Sequence, residues 1–306
     1  MIQHSTILKH ITSGVYAMQY HNSLLYRYYN DIATGIKLRR PSDNPIRYLQ
    51  LADVIMSLSS QQALNDSLQD ARRSIEYSIN QLININNILN KVYSLSSQSL
   101  DATLSDADLV SFAYEINTLL QRSVELCNSK YNGRYIFSGE LIDKIPFVMN
   151  YDSNGYINNV TYQGSLNNCN VALGNTYPVP YTLSGQMVVK VDNITIFDVL
   201  ITLRNFYNNP TGNRHDTIVA AMSNIERLRQ NLDRVIGSMS AYSSQLEDYG
   251  QQVQQDILNK QTLQSDLQST DYAEAVVHAN AHEYLLQASM AVTSRLFKYS
   301  LLDYIV

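Results

Sequence analysis

The chain has no tryptophan, two cysteines, six prolines and eleven glycines in 306 residues. Two cysteines as far apart as Cys127 and Cys169 form neither a disulfide framework nor a metal-binding spacing, so each reads as a buried or incidental thiol. No run of about 18 apolar residues occurs, which excludes a membrane-spanning helix. Positive charge is not in excess either. The formal net charge is -5, whereas a general nucleic-acid binder needs a basic face to release counterions. The opening residues, MIQHSTILKHITSGVYAMQ, contain no continuous apolar segment and no small-residue cleavage site, so no cleaved signal peptide is expected.

What is present is unevenly placed. Residues 46–130 contain no glycine and no proline. There Leu64, Leu68, Ala71, Ile75, Ile79, Leu82, Ile85, Leu89 and Val92 recur every three or four positions, which lays one apolar stripe along a helix. Unbroken to Leu100, that helix would be roughly 80 Å long. Ser105 is placed to cap a second helix carrying Leu109, Phe112, Ile116, Leu119 and Leu120. Seven of the eleven glycines and four of the six prolines lie between Tyr131 and Gly212. FVMNYDSNGYINNVTY reads as two strands about a turn at 152–155, and MVVKVDNITI repeats the idea about Asp192-Asn193. IFDVLITLRNFYN, at 196–208, reads as a helix leading back to the bundle. From His215 onward the chain is helical again, with Ile218, Met222, Ile225, Leu228, Leu232 and Val235 on one stripe. Leu246, Val253, Ile257, Leu263 and Leu267 continue it less strictly. Asp271 and Glu274 form a capping-box pattern before a last helix. That helix carries Ala275, Val276, Ala279, Leu286, Met290 and Leu296. Its counterpart is the first helix, with Leu8, Ile11, Val15, Met18, Leu25, Tyr28 and Ile32.

The stretch GIKLRRPSDNP, 35–45, divides the first helix from the second. Gly35 stands where a helix ends in a left-handed residue. Pro41 restricts Arg40 to extended geometry. Asn44 can cap the next helix, with Pro45 at its first position. The stretch therefore reads as a hinge-like joint. Its cations (Lys37, Arg39, Arg40 and Arg47) lack the glycines of a phosphate loop and read as a solvated or subunit-facing basic patch.

Three segments carry a family resemblance. YNDIATGIKLRRPSDNP resembles the signature after the first helix of flagellin-like axial proteins of the bacterial flagellum, carried here by Gly35, Pro41, Ser42, Asp43, Asn44 and Pro45. NGRYIFSGE resembles the exit from the first bundle helices in hook–filament junction proteins. SDLQSTDYAEAVVHANAHEYLLQASMAVTSRLFKYSLLDYIV is similar to the terminal helix of the FlgL type of hook-associated protein. Flagellin is the near neighbour, but its D-D-x-A-G is replaced by SDNP, and TSRLFKYS stands where flagellins carry A-N-Q-x-P-Q.

The fold class expected is mainly α: a long antiparallel helical bundle or coiled coil of the two ends with an inserted small β-rich domain. The divisions are a core helix over 1–34, a hinge over 35–45, bundle over 46–140, the β-rich insert over 141–213, bundle over 214–268 and a second core helix over 269–306. Two amphipathic terminal helices cannot bury their stripes in a compact monomer, so they want partner helices and should order on assembly. The resemblance implies a ring that adapts hook to filament, with an assembly interface at Leu8, Ile11, Val15, Met18, Leu25, Ile32, Val276, Ala279, Leu286, Met290 and Leu296. It further implies contacts with copies of itself, the hook-side junction protein and flagellin. An export chaperone and the flagellar type III export apparatus would carry the chain to an extracellular location in the flagellum. The alternative it leaves is flagellin, the bulk filament subunit.

Chemistry is sparse. His278 and His282, four apart on one helix face, could chelate a metal in geometry, but no further ligands are evident and HANAHE is not the zincin order H-E-x-x-H. No G-x-S-x-G elbow and no cysteine beside an obvious base occur. No catalytic, cofactor or metal role is expected. Tyr16, Tyr20, Tyr26, Tyr28 and Tyr29 suit subunit packing better than base stacking, since only Arg27 interleaves them.

Overall fold

A computed structural model describes residues 2–101, 105–172, 178–210 and 213–305, with the side chains of residues 2–8, 106 and 299–305 outside the description. The described residues form seven helices: Ile2–Thr34 (α1), Pro45–Gln98 (α2), Asp106–Cys127 (α3), Gly185–Val189 (α4), Ile196–Asn208 (α5), Arg214–Gln268 (α6) and Tyr272–Ile305 (α7). The expected mainly helical architecture with a small β-rich insert is observed. Two compact units divide it, one formed by 1–62 with 255–306 and the other by 63–254. α2 and α6 contribute to both, so the divisions fall inside these helices and residues 35–45 lie wholly within the first unit.

The second unit holds the bundle and the insert. The α2 stripe buries Leu68, Ile75, Leu82, Leu89 and Val92, and α6 buries Ile218, Ile225, Leu228 and Leu232. Arg72 pairs with Glu247 and Asn86 with Asp233, so these stretches of α2 and α6 run antiparallel. Farther along α6, in the first unit, Leu263 departs from its expected seam and is exposed. Both shorter bundle helices start with reciprocal caps. Ser105 and Asp108 exchange bonds at α3, and Thr195 and Asp198 do so at α5, which satisfies donors that a helix start leaves orphaned.

The described β-structure, which begins ahead of the insert, is a set of two-stranded antiparallel ladders. Lys130–Tyr131 (β1) pairs with Arg134–Tyr135 (β2), and Phe147–Tyr151 (β3) with Ile157–Tyr162 (β4). Asn170–Val171 (β5) pairs with Val179–Pro180 (β6), and Lys190–Val191 (β7) with Ile194–Thr195 (β8). The MVV of MVVKVDNITI belongs to α4, so that hairpin begins only at Lys190. Pairs this short are marginal alone and rest here on buried side chains. Phe147 is buried against Tyr162 and Phe197, with ring centroids 5.2 and 5.4 Å away. The Asn128 amide also bonds both backbone groups of Phe147, at 2.8 and 2.9 Å.

In the first unit α1 and α7 pack along their length. Contacts between residues 14 and 293, 21 and 282, and 28 and 278 make the pair antiparallel.

Candidate assembly surface

The joint at 35–45 is braced at each special residue. Gly35 takes φ +71° and donates to the Asp31 carbonyl, closing α1 with a left-handed residue. A Cβ there would lie 2.8 Å from the Tyr272 hydroxyl oxygen. Asn44 accepts from the Arg47 N–H and caps α2, whose first residue is Pro45. Pro41 and Ser42 are exposed beside them. Asp43 does more than its place in a turn suggests: its carboxylate accepts from the N–H groups of Arg39 and Arg40 and pairs with Arg27 at 3.1 Å. The joint also bonds the chain before α7. Lys37 donates to the Gln268 carbonyl, and Thr270 donates to that of Gly35.

Two of the four cations of this stretch meet acids of the same unit, while Lys37, Arg40 and Arg47 are exposed. Arg39 lies 3.0 Å from buried Asp31, and Lys37 lies 3.1 Å from Glu274. Glu274 therefore turns to Lys37, while Asp271 alone accepts from the first N–H groups of α7. Burial raises the Asp31 pKa, with Arg39 and Arg27 opposing it. Burial also works against the Asp43 carboxylate, but the two N–H donors and Arg27 outweigh it, so its pKa falls below the ordinary 3.8. A carboxylate shifted down stabilises the fold above that value, and the contribution is lost as pH falls through the folded pKa. Asp43→Ala is expected to cost about 1–2 kcal/mol at neutral pH, the scale of a lost cap and charge-assisted bonds. Urea titrations at neutral pH and near pH 3 should show that penalty shrinking in acid.

The predicted interface residues divide between two faces. Ile11, Val15, Met18, Leu25 and Ile32 of α1 are half-buried, as are Leu286 and Leu296 of α7, while Ala275 and Ala279 are buried. Val276 and Met290 are exposed. Leu8 lies in α1 with its side chain outside the described residues. Small residues allow close approach: a Cβ on Gly14 would collide with the Thr293 hydroxyl. That hydroxyl oxygen is buried without a hydrogen-bond partner among the described residues. Thr293→Val keeps the shape and removes the orphan, so the α1–α7 pair should gain about 1 kcal/mol, read as slower amide exchange in both helices.

The uncovered faces are also apolar. Tyr16, Tyr20, Tyr26 and Tyr29 are exposed on α1, and Val277, Tyr284, Leu285, Val292 and Phe297 accompany Val276 and Met290 on α7. On α7 these apolar residues are exposed alongside Glu274, Gln287, Arg295 and Lys298. Many large apolar side chains left exposed on one helix pair suit an interaction surface. Periodicity alone missed His21, which sits on the covered face with Nδ1 3.2 Å from Nδ1 of His282.

Cys127 is buried and burial pushes its thiol pKa far up, leaving it inert. Among the described residues no group of three or more His, Cys, Asp or Glu is placed to hold a metal, and no helix is long and apolar enough to cross a membrane.

Residues 222–305 match the bacterial flagellin C-terminal helical region. No curated protein matches the sequence. Solved structures of similar fold include a putative flagellar hook-associated protein from Vibrio parahaemolyticus, with TM-score 0.67 at 14% identity over 74% of this chain and 100% of that one. FlgL from Xanthomonas campestris gives TM-score 0.56 at 15% identity over 69% of this chain and 99% of its own. FlgL from Bacillus cereus gives 0.55 at 17% identity over 70% and 99%. The chain thus has the fold of FlgL-type hook-associated proteins and carries the flagellin-type C-terminal helical region, in line with the resemblance seen in its motifs.

Proposed function

We propose that this chain is a non-catalytic structural subunit of the bacterial flagellum, forming the ring that joins the hook to the filament. The observation that carries the reading is the apolar outer face of the α1–α7 pair, within a fold shared with hook-associated and FlgL structures. In this reading the outer faces of α1 and α7 pack against neighbouring copies, burying the exposed tyrosines and the Val276–Phe297 surface. One side of the ring meets the hook-side junction protein and the other meets flagellin. An export chaperone and the flagellar type III export apparatus deliver the chain, whose terminal helices order fully on assembly. Residues 35–45 set how α1 departs from α2, and any articulation there works against three ion pairs.

The flagellin-type terminal region also suits the bulk filament subunit, and abundance separates the two. Sheared filaments should contain this chain in trace amounts relative to the main band, with antibody labelling confined to the point where hook meets filament. Labelling along the filament, in step with the main band, would make it flagellin instead.

A further inference from the structure

Between α1 and α7 the rings of His21, Tyr28, His278 and His282 form one cluster. Tyr28 stacks on His278 with centroids 5.2 Å apart and on His282 at 5.6 Å, with interplanar angles of 16° and 13°. His21 and His282 meet nitrogen to nitrogen, Nδ1 to Nδ1 at 3.2 Å, with centroids 5.4 Å apart. Such a contact requires one Nδ1 to carry a proton and the other to be a bare acceptor. A first proton on the pair is accommodated, because one ring still donates to the other. A second leaves two N–H groups and two positive charges facing each other, which breaks the contact.

The surroundings supply little compensation. From α7, Glu274 lies 3.7 Å from His278 but is already held by Lys37, and Glu283 accepts from the Tyr29 hydroxyl at 3.5 Å. From α1, Tyr20 stands edge-on to His21 at 5.5 Å, and Arg27 pairs with Asp43. Among the described residues no carboxylate contacts either ring of the His21–His282 pair.

We propose that this cluster is an acid-sensitive latch, which holds α1 against α7 near neutral pH and releases them under mild acid. The direction follows from linkage. Burial lowers the His282 pKa below the ordinary 6.5, and the neighbouring His21 and His278 lower it further. Separated helices therefore bind more protons than the pair, so the contribution is full above about pH 6.5 and lost as pH falls below it. The latch acts on the helix pairing itself and does not depend on what the paired helices assemble into.

The test is amide hydrogen exchange on the full chain at about pH 7.5 and pH 5.5, corrected for intrinsic exchange, with residues 75–92 of the second unit as internal reference. In the native sequence, protection in 15–32 and 275–290 should fall severalfold in acid while the reference holds. His282→Gln keeps a neutral polar side chain and should flatten the response. His21→Gln removes the same nitrogen contact from the other helix and serves where the first variant folds poorly. Constant protection in the native chain would overturn the latch. So would a loss shared by the reference, the same loss in both variants, or terminal helices unprotected at both pH values.

Discussion

Replacing Gly139 by alanine should destabilise the second unit by roughly 2–5 kcal/mol, the sum of left-handed strain and overpacking. Gly139 adopts φ +65°, and an added Cβ would lie 2.5 Å from the Ser165 carbonyl oxygen and closer still to that of Asn167. Neither neighbour is the free end of a side chain, so the backbone itself must move. That backbone is tightly committed: Gly139 donates to Leu183, and Ser165 donates to Ser138. Gly133 is the control. It has φ +80° with nothing near its missing Cβ, so Gly133→Ala should cost only the conformational part, about 1–2 kcal/mol. For a unit of this size the larger change corresponds to a fall of roughly 5–15 °C in melting temperature. Calorimetry on the two variants separates strain from collision, and equal melting temperatures would show that the close approach is not maintained in solution.

Arg204 is the second sensitive point. It is buried on α5, yet its guanidinium donates to the Ile157 carbonyl at 2.8 Å and reaches Asn117 at 3.3 Å. It also donates to the Asn205 side chain through two nitrogens and lies over the Tyr156 ring at 5.3 Å. One side chain thus ties α3, α5 and the β3–β4 hairpin together. Arg204→Met keeps much of the apolar stem but strands the buried Ile157 carbonyl and the half-buried Asn117 side chain, whereas exposed Asn205 turns to water. Each orphaned buried group costs about 1–3 kcal/mol, so a loss of about 3 kcal/mol is expected. Urea unfolding followed by far-ultraviolet circular dichroism measures it, and a change below about 1 kcal/mol would mean that these acceptors find other donors.

The helical plan was legible because its signals are local. The threefold and fourfold spacing from Leu64 to Val92 depends only on near neighbours in the chain. So do the caps at Ser105, Asn44 and Asp271, and the left-handed end at Gly35. What stayed hidden depends on partners far away in sequence. Arg204 reads as one polar position in an apolar helix until Ile157 and Asn117 are folded against it. The acidic partners of Lys37 and Arg39 were hidden because Asp31 lies on the preceding helix and Glu274 is distant in the chain. Asn132-Gly133 between tyrosines and cations was an available hairpin signal, which the structure realises as β1 and β2.

The assembly surface was half legible. Spacing identified α1 and α7 as stripes in want of partners, but not which residues the two helices cover between themselves. Ala279 is buried and Leu286 and Ile11, Val15, Met18, Leu25 and Ile32 are half-buried, whereas Val276, Met290, Tyr16, Tyr20, Tyr26 and Tyr29 are exposed. Small residues at Gly14, Ala275 and Ala279 let the helices approach, which explains why large apolar side chains remain available for the outer face. His21 could not be joined to His282 from spacing within one helix, because only the antiparallel register brings residues 261 positions apart into contact.

The most direct test of the structural role is electron microscopy of a strain lacking this chain, with an assay for flagellin in the medium. The account predicts hooks without filaments and monomeric flagellin released into the medium. Filaments of normal number and length would contradict it.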